Sequence, residues 1–325
     1  DINAHWGSLK YVVRKNLYLS AYAGNGHYND MDMMVIGFRD NSKVGGKGLT
    51  PTEEEAHFGL WCIMSSPLLI GCNLENLPDS SLQLLTNKEL IALNQDPLGL
   101  QAYVAQHENE GYVLVKDIEQ KRGNVRAVAL YNPSDTLCSF SVPFTSLEFG
   151  GNVKVRDLAR QNDLGNFSDV FERTLPPHSA MFLRMEGETR LEPTLYEAEW
   201  AYLPLFNDLG KNPKGIIYAH DKDASGKMKI GFLGGKPENY AEWREVYSTD
   251  GGRYQMTIQY SHGKGRQLEV DITGVITKIA ALEEDEKHSQ ITIPVELKTG
   301  YNTIRMGNSY NWAPDIDCFT LTKVL

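Results

Sequence analysis

The sequence predicts a multidomain chain, with parallel α/β units first and two antiparallel β blocks after them. Three observations predict it. Helical apolar spacing alternates with short apolar runs up to about residue 100. From about residue 102 the pattern changes to period-two alternation. A polar stretch, 186–194, then precedes a second alternating block from about residue 195. Taking the elements in order, Trp6, Leu9, Val12, Val13 and Leu17 recur at helical spacing and predict a helix from Trp6 to Leu19. Met31–Gly37 reads as a short buried strand. Thr50-Pro51-Thr52-Glu53-Glu54-Glu55 supplies a hydroxyl cap, a first-turn proline and acids at the positive end of a helix reaching about Ser65. Pro67–Gly71 reads as another buried strand, Asp79–Leu85 and Lys88–Asn94 as helices, and Asp96-Pro97-Leu98-Gly99 as the closing turn. Strand and helix in alternation mean parallel α/β units.

In the second region, strands are expected at Tyr112–Val115, Val125–Tyr131, Cys138–Phe144, Val153–Leu158 and Ala180–Met185, parted by Asn-Pro, Pro-Ser and Pro-Pro turns. That spacing argues for an antiparallel sandwich. In the third region Tyr254–Tyr260, Leu268–Ile272, Ile291–Ile293 and Val295–Leu297 alternate, with Gly251-Gly252 and Thr299-Gly300 as turns. The two β blocks share no repeat.

Composition narrows the function classes. With 32 Lys and Arg against 42 Asp and Glu, the net charge is −10, and no basic block interrupts it. Such a chain is a poor partner for nucleic acid or anionic lipid. No apolar run approaches the roughly 18 residues that span a bilayer. Cys62, Cys72, Cys138 and Cys318 match neither a disulfide framework nor a zinc pattern and read as buried free thiols. The chain opens on Asp1 without methionine or signal sequence, which reads as processed, engineered or truncated.

The most informative segment is Gly26-His27-Tyr28-Asn29-Asp30-Met31-Asp32-Met33-Met34-Val35-Ile36-Gly37. Asp30 and Asp32 lie two apart, so on a strand both carboxylates face one side. Carboxylates at the mouth of a parallel strand are costly to bury unless they bind something, although they could also cap the following helix. The run Tyr28–Gly37 resembles the W-N-D-P-D-M-L-V-I-G signature of glycoside hydrolase family 27, the α-galactosidases. The resemblance continues through Gly48-Leu49-Thr50, Glu54-Glu55, Gly59–Leu68 and Leu90–Gly99, and covers roughly residues 1–185. Tyr28 replaces the usual tryptophan and Met31 the usual proline.

The resemblance implies a (β/α)8 barrel followed by an antiparallel β domain, and a retaining mechanism with two aspartates. The family's acid/base aspartate opens a D-I-x-x-x-W segment, which Asp1-Ile2-Asn3-Ala4-His5-Trp6 resembles, so Asp1 is the implied acid/base. By the same carry-over Asp32 accepts sugar hydroxyls and Met33 forms an apolar wall, while Asp30 supports them without touching the sugar. A closed barrel of this kind needs about 250 residues, and only about 100 precede the sandwich. The family nucleophile lies on a K-x-D-x-C-like fourth strand that has no counterpart in this sequence. The expectation is the C-terminal portion of a barrel (1–101), a β-sandwich (102–187) and a second, jelly-roll-like β-sandwich (195–325), with an N-terminal barrel portion missing.

The last block resembles carbohydrate-binding modules of families 6 and 35 through Tyr196-Glu197-Ala198-Glu199, Gly252-Arg253-Tyr254, Gly300–Ile304 and Pro314–Phe319. The resemblance implies a structural calcium held by Glu197, Glu199 and Asp317, a hard-oxygen set suited to that ion; solvated edge-strand charges are the alternative. Tyr310-Asn311-Trp312 is the implied sugar site, since aromatic faces stack on pyranose C–H groups, with Tyr240 and Trp243 as weaker candidates. The expected function is removal of terminal α-galactosyl groups from oligo- or polysaccharides, with no cofactor for catalysis. The expected location is secreted or periplasmic, and no nucleic-acid or membrane partner is expected. α-N-Acetylgalactosaminidase, β-L-arabinopyranosidase and isomaltodextranase share the scaffold, and a sugar-binding accessory protein is the reading from another class.

Overall fold

The computed structural model describes residues 1–38, 47–206, 215–280, 282 and 288–324. The chain divides into two compact units, Asp1–Leu191 and Glu192–Leu325.

In the first unit, helix α1 (Trp6–Asn16) starts where the His5 side chain accepts the Ser8 N–H. Helix α2 (Pro51–Ile63) opens with a complete capping box: Thr50 Oγ1 accepts the Glu53 N–H, and the Glu53 carboxylate accepts the Thr50 N–H. Helices α3 (Asp79–Leu85) and α4 (Lys88–Asn94) follow, the latter capped by the Asn87 side chain on the Glu89 and Leu90 N–H groups. The two strands expected here are reduced to one parallel bridge, Met34 to Ile70, with Met34 N–H bonded to Leu69 C=O at 2.7 Å. Met31–Gly37 is buried over Met34–Ile36 as expected, whereas Leu69 and Ile70 are about half exposed, at 55% and 50%. The expectation of a buried strand at Pro67–Gly71 is corrected, because no further strand among the described residues covers it.

Eight strands complete this unit: β1 (Tyr103–Glu108), β2 (Gly111–Asp117), β3 (Val125–Asn132), β4 (Cys138–Pro143), β5 (Phe149–Asp157), β6 (Asn162–Phe167), β7 (Val170–Leu175) and β8 (Ser179–Arg190). Six form an antiparallel sheet in the order β1-β2-β3-β8-β5-β6, and β4 pairs with β7. Every residue of β3 is buried, because the sheet is covered on both faces. Val128, Leu130, Met181 and Leu183 enter a core with Phe140, Val142 and Phe171 of the β4–β7 pair. Ala127, Ala129, Tyr131 and Phe182 share the other core with Phe58, Trp61 and Ile63 of α2. Gly59 permits that second contact, since a Cβ there would fall 2.0 Å from the Phe182 ring. The segments expected as 1–101 and 102–187 therefore share one core. Much of the expected linker Glu186–Thr194 is strand, because β8 stays hydrogen-bonded to β5 through Arg190.

The second unit holds β9 (Leu195–Glu197), β10 (Ile217–His220), β11 (Met228–Gly231), β12 (Ala241–Ser248), β13 (Gly252–Ser261), β14 (Leu268–Ile272), β15 (Val275–Ile279), β16 (Ser289–Leu297), β17 (Gly300–Gly307) and β18 (Asp315–Lys323). One antiparallel sheet runs β10-β11-β18-β13-β16, with β9 also on β18; the other runs β12-β17-β14-β15. Phe319 of β18 stacks on Tyr196 at 4.9 Å and meets the edge of Trp243 of β12 at 5.1 Å, so one aromatic cluster joins the two sheets. All four cysteines are free thiols, three of them buried and Cys72 half-buried.

Candidate functional site

Buried backbone donors must be satisfied, and along 31–37 most are satisfied by side chains rather than by a strand ladder. Met31 N–H donates to Ser66 Oγ, Val35 N–H to His57 Nε2 and Gly37 N–H to Glu54 Oε1, at 2.9, 3.0 and 2.9 Å. Glu54 also accepts the Ser81 hydroxyl. Asp32 N–H donates to Asp30 Oδ1 at 2.8 Å, and Met33 N–H to Asp32 Oδ1 at 2.7 Å. Asp32 has φ 75°, the left-handed region that few non-glycine residues adopt. Asp30 and Asp32 are thus joined by a turn, and the expectation that a strand's pleat aligns them is corrected. The turn is anchored from below by Trp61, whose indole N–H donates to the Asp32 carbonyl at 2.8 Å.

Asp1 reaches this turn through its neighbour, as the Ile2 N–H donates to Asp32 Oδ2 at 2.8 Å. The Asp1 side chain is exposed and that of Asp32 about one-third exposed. Met33 is half-buried and packs on Gly71, where any Cβ would lie 2.6 Å from its sulfur. Asp1, Asp32 and Met33 therefore gather at one place, with Asp30 holding the turn. His57, Trp61, Ser66 and Glu54 were not assigned any role at the site by sequence reasoning. Trp61 and Ser66 lie inside the motif Gly59–Leu68, and Glu54 was read as a helix-end acid rather than as the partner of Gly37.

The second unit contains a cluster of buried acids. Glu197 ends β9, Glu199 lies in the 3-10 turn Ala198–Trp200, and Asp317 lies on β18; their exposures are 5%, 1% and 2%. Glu197 and Glu199 do not lie on one strand face, since the strand stops at Glu197 and Glu199 follows in the turn. Ser225 bridges the cluster, its hydroxyl donating to Glu197 Oε1 at 2.5 Å and its N–H to Asp317 Oδ1 at 2.9 Å. Glu197 Oε2 and both carboxylate oxygens of Glu199 are buried without a hydrogen-bond donor. Burial, with Asp317 adding its charge, pushes the Glu197 carboxyl up to about 7. Burial and the Asp221 charge raise Asp317 to about 6, and Glu199 is raised well above the usual carboxylate range by burial and then Glu197. Orphaned carboxylate oxygens and mutual repulsion suit a hard divalent cation. Gly226 keeps the space open, since a Cβ there would lie 2.3 Å from Glu199 Oε1.

Before β18, the Asn308 side chain accepts the Tyr310 and Asn311 N–H groups at 3.1 and 3.0 Å and fixes an exposed loop. Tyr310 is 79% exposed and Trp312 53%, with Gly234 bridged to Trp312 and Gly235 against its ring. Trp243 is a core residue, its indole N–H bonded to the Glu197 carbonyl, and Tyr240 lies under Arg305.

Residues 1–96 match the family model described as "Alpha galactosidase A", and residues 110–185 match the "Alpha galactosidase C-terminal beta sandwich domain". Alpha-galactosidase 3 of Arabidopsis thaliana is 36% identical over 194 residues, covering 58% of this chain and 42% of that protein. The chain thus spans less than half the length of this relative. A family GH27 β-L-arabinopyranosidase from Geobacillus stearothermophilus is 27% identical with a TM-score of 0.52, over 58% of this chain and 43% of that one. An isomalto-dextranase from Arthrobacter globiformis T6 shares the fold alone, at 18% identity and a TM-score of 0.56, over 95% of this chain and 52% of that one. Over residues 1–185 the chain is therefore similar, in sequence and in fold, to the α-galactosidases of glycoside hydrolase family 27.

Proposed function

We propose that residues 1–185 furnish the closing part of a glycosidase active site that removes terminal α-galactosyl groups with retention of configuration. Asp1 is the acid/base, and barrel sequence outside these 325 residues supplies the nucleophilic carboxylate. The observation that carries the reading is the Ile2–Asp32 hydrogen bond, which seats the D-I-x-x-x-W-like segment beside the signature turn. Asp32 accepts one backbone N–H at each carboxylate oxygen, which leaves each oxygen a lone-pair site for a sugar hydroxyl. Met33 offers its half-buried side chain to the C–H face. In the first step the nucleophile attacks the anomeric carbon while the Asp1 carboxyl gives its proton to the departing glycosidic oxygen. In the second, the Asp1 carboxylate takes a proton from the water that releases the sugar. The half-exposed Leu69 and Ile70 support the reading, because a parallel sheet expects neighbours and cover at such an edge.

The second unit is a jelly-roll-like carbohydrate-binding module in this reading. Tyr310 and Trp312 stack on sugar rings and Asn311 bonds their hydroxyls. Glu197, Glu199 and Asp317 would hold calcium, whose charge would stabilise the three buried carboxylates without taking part in catalysis. The substrate is an oligo- or polysaccharide ending in α-galactose, and because such polymers do not cross membranes unaided, the protein acts after export.

The test is an assay of residues 1–325 with an activated aryl α-galactoside, alone and with a separately made first part of a family 27 barrel. No turnover is expected from the chain alone. In the complemented enzyme, Asp1→Ala should cost about 10²–10⁴-fold on a sugar leaving group and far less on the aryl one. Equal losses on both substrates would remove Asp1 from the acid/base role. Turnover by the chain alone that Asp32→Asn abolishes would overturn the need for an outside nucleophile. A complemented mixture that binds sugar but never turns it over favours the accessory-protein reading.

A further inference from the structure

Within the first unit, α1 and the ends of β2 and β3 line an open cleft of about 370 Å³ that the proposed active site does not use. Its size falls in the range of small-ligand sites. Tyr11, 56% exposed, and Tyr112 present ring surface along it, and Lys10, Arg14 and Glu110 stand at its rim. Lys10, Arg14 and Glu110 are all exposed. Tyr131, 1% exposed, also lines the cleft, and its hydroxyl has no hydrogen-bond partner.

The chemistry of the lining narrows the ligand. A simple anion would suit Lys10 and Arg14 but meet the Glu110 carboxylate. A purely apolar ligand would suit the tyrosine rings and leave three charged groups unanswered. A pyranose ring meets both demands, with C–H faces for the aromatic rings and a rim of hydroxyls that both donate and accept. We propose that this cleft is an auxiliary saccharide site, one hexose unit deep, that holds the substrate chain at a distance from the Asp1–Asp32 turn. The proposal rests on the glycosidase reading for its choice of sugar, but its test does not depend on turnover.

The experiment titrates melibiose into residues 1–325 carrying Trp312→Ala, so that the exposed aromatic loop of the second unit does not contribute. Binding is read by calorimetry and by the near-ultraviolet circular dichroism of the tyrosines. Saturable binding is expected, weakened roughly tenfold or more by Tyr11→Ala, the loss of one ring contact, and also weakened by Glu110→Gln. Both side chains are exposed, so neither change threatens the fold. No binding, or binding that Asp32→Asn removes while Tyr11→Ala leaves it intact, would overturn the proposal. So would binding of inorganic phosphate that depends on Lys10 and Arg14 while melibiose is ignored. The turnover assay can fail while this titration succeeds, which separates the two readings.

Discussion

His57 has no exposed surface, and its Nε2 accepts the Val35 N–H while its ring meets the edge of Trp61 at 4.1 Å. Burial pulls its pKa from 6.5 down to about 3, so the ring stays neutral and can accept. The folded state therefore binds fewer protons than the unfolded chain between those values, and stability falls as pH drops below 6.5. Between pH 7 and 5 this residue should withdraw about 2 kcal/mol. Urea unfolding of wild type and His57→Gln at both pH values checks it, since glutamine can still accept from Val35 while losing the titration. Equal losses in the two proteins would sink the account. The identities of Asp30, Asp32 and Met33 were legible because they sit in one contiguous motif. The left-handed turn at Asp32 was not, because it depends on Trp61, His57 and Ser66, which lie 29, 22 and 35 residues from their partners.

Among the elements, helices declare themselves through local chemistry. Thr50, Pro51 and Glu53 carry a whole capping box within four residues, and the helix begins where they place it. Strands declare themselves only when one face is apolar. β2, β3 and β8 were legible, whereas β6, with no fully buried residue, and β7, buried at two positions, show too little alternation to be seen. A bulge is invisible in the same way. Gln259 pairs with Cys318 and Tyr260 with Ile316, so Asp317 is the extra residue on β18. That bulge brings its carboxylate to Glu197, with the Cys318 sulfur in the same group. If calcium binds there, it should stabilise only the folded unit, by about 2.7 kcal/mol at a hundredfold excess over Kd. Calcium should raise the Tm of the full chain by several degrees, chelator should reverse the gain, and Glu199→Gln should abolish the difference. A melting curve indifferent to chelator would strike Glu197, Glu199 and Asp317 from the metal account.

At the scale of the molecule, the expected boundary near residue 101 is crossed by a charge. Lys116 of β2 is 2% exposed, and its ammonium donates to Ser65 Oγ at 2.8 Å, just past the end of α2, and to the Leu93 carbonyl of α4 at 3.1 Å. The sequence offers Lys116 as an ordinary polar residue closing the run Tyr112–Val115. Only the packing of helices on the sheet turns it into a buried tie between them. Burial lowers its pKa from 10.5 to about 8, against a smaller opposing pull from Asp96. The folded protein then binds fewer protons than the unfolded chain between pH 8 and 10.5. The penalty for burying the ammonium is full below pH 8 and is relieved as pH rises through that window. Relative to Lys116→Met, the wild-type chain should gain on the order of 3 kcal/mol of unfolding free energy from pH 7.5 to 10.5. The comparison cancels the tyrosines and surface lysines that titrate in both proteins. Chemical unfolding across that range measures the gain, and parallel pH slopes would mean that Lys116 is not desolvated at the junction. A divergence of the expected sign would mean that the helices and the sheet keep this one side chain buried throughout the native state, as a single cooperative unit requires.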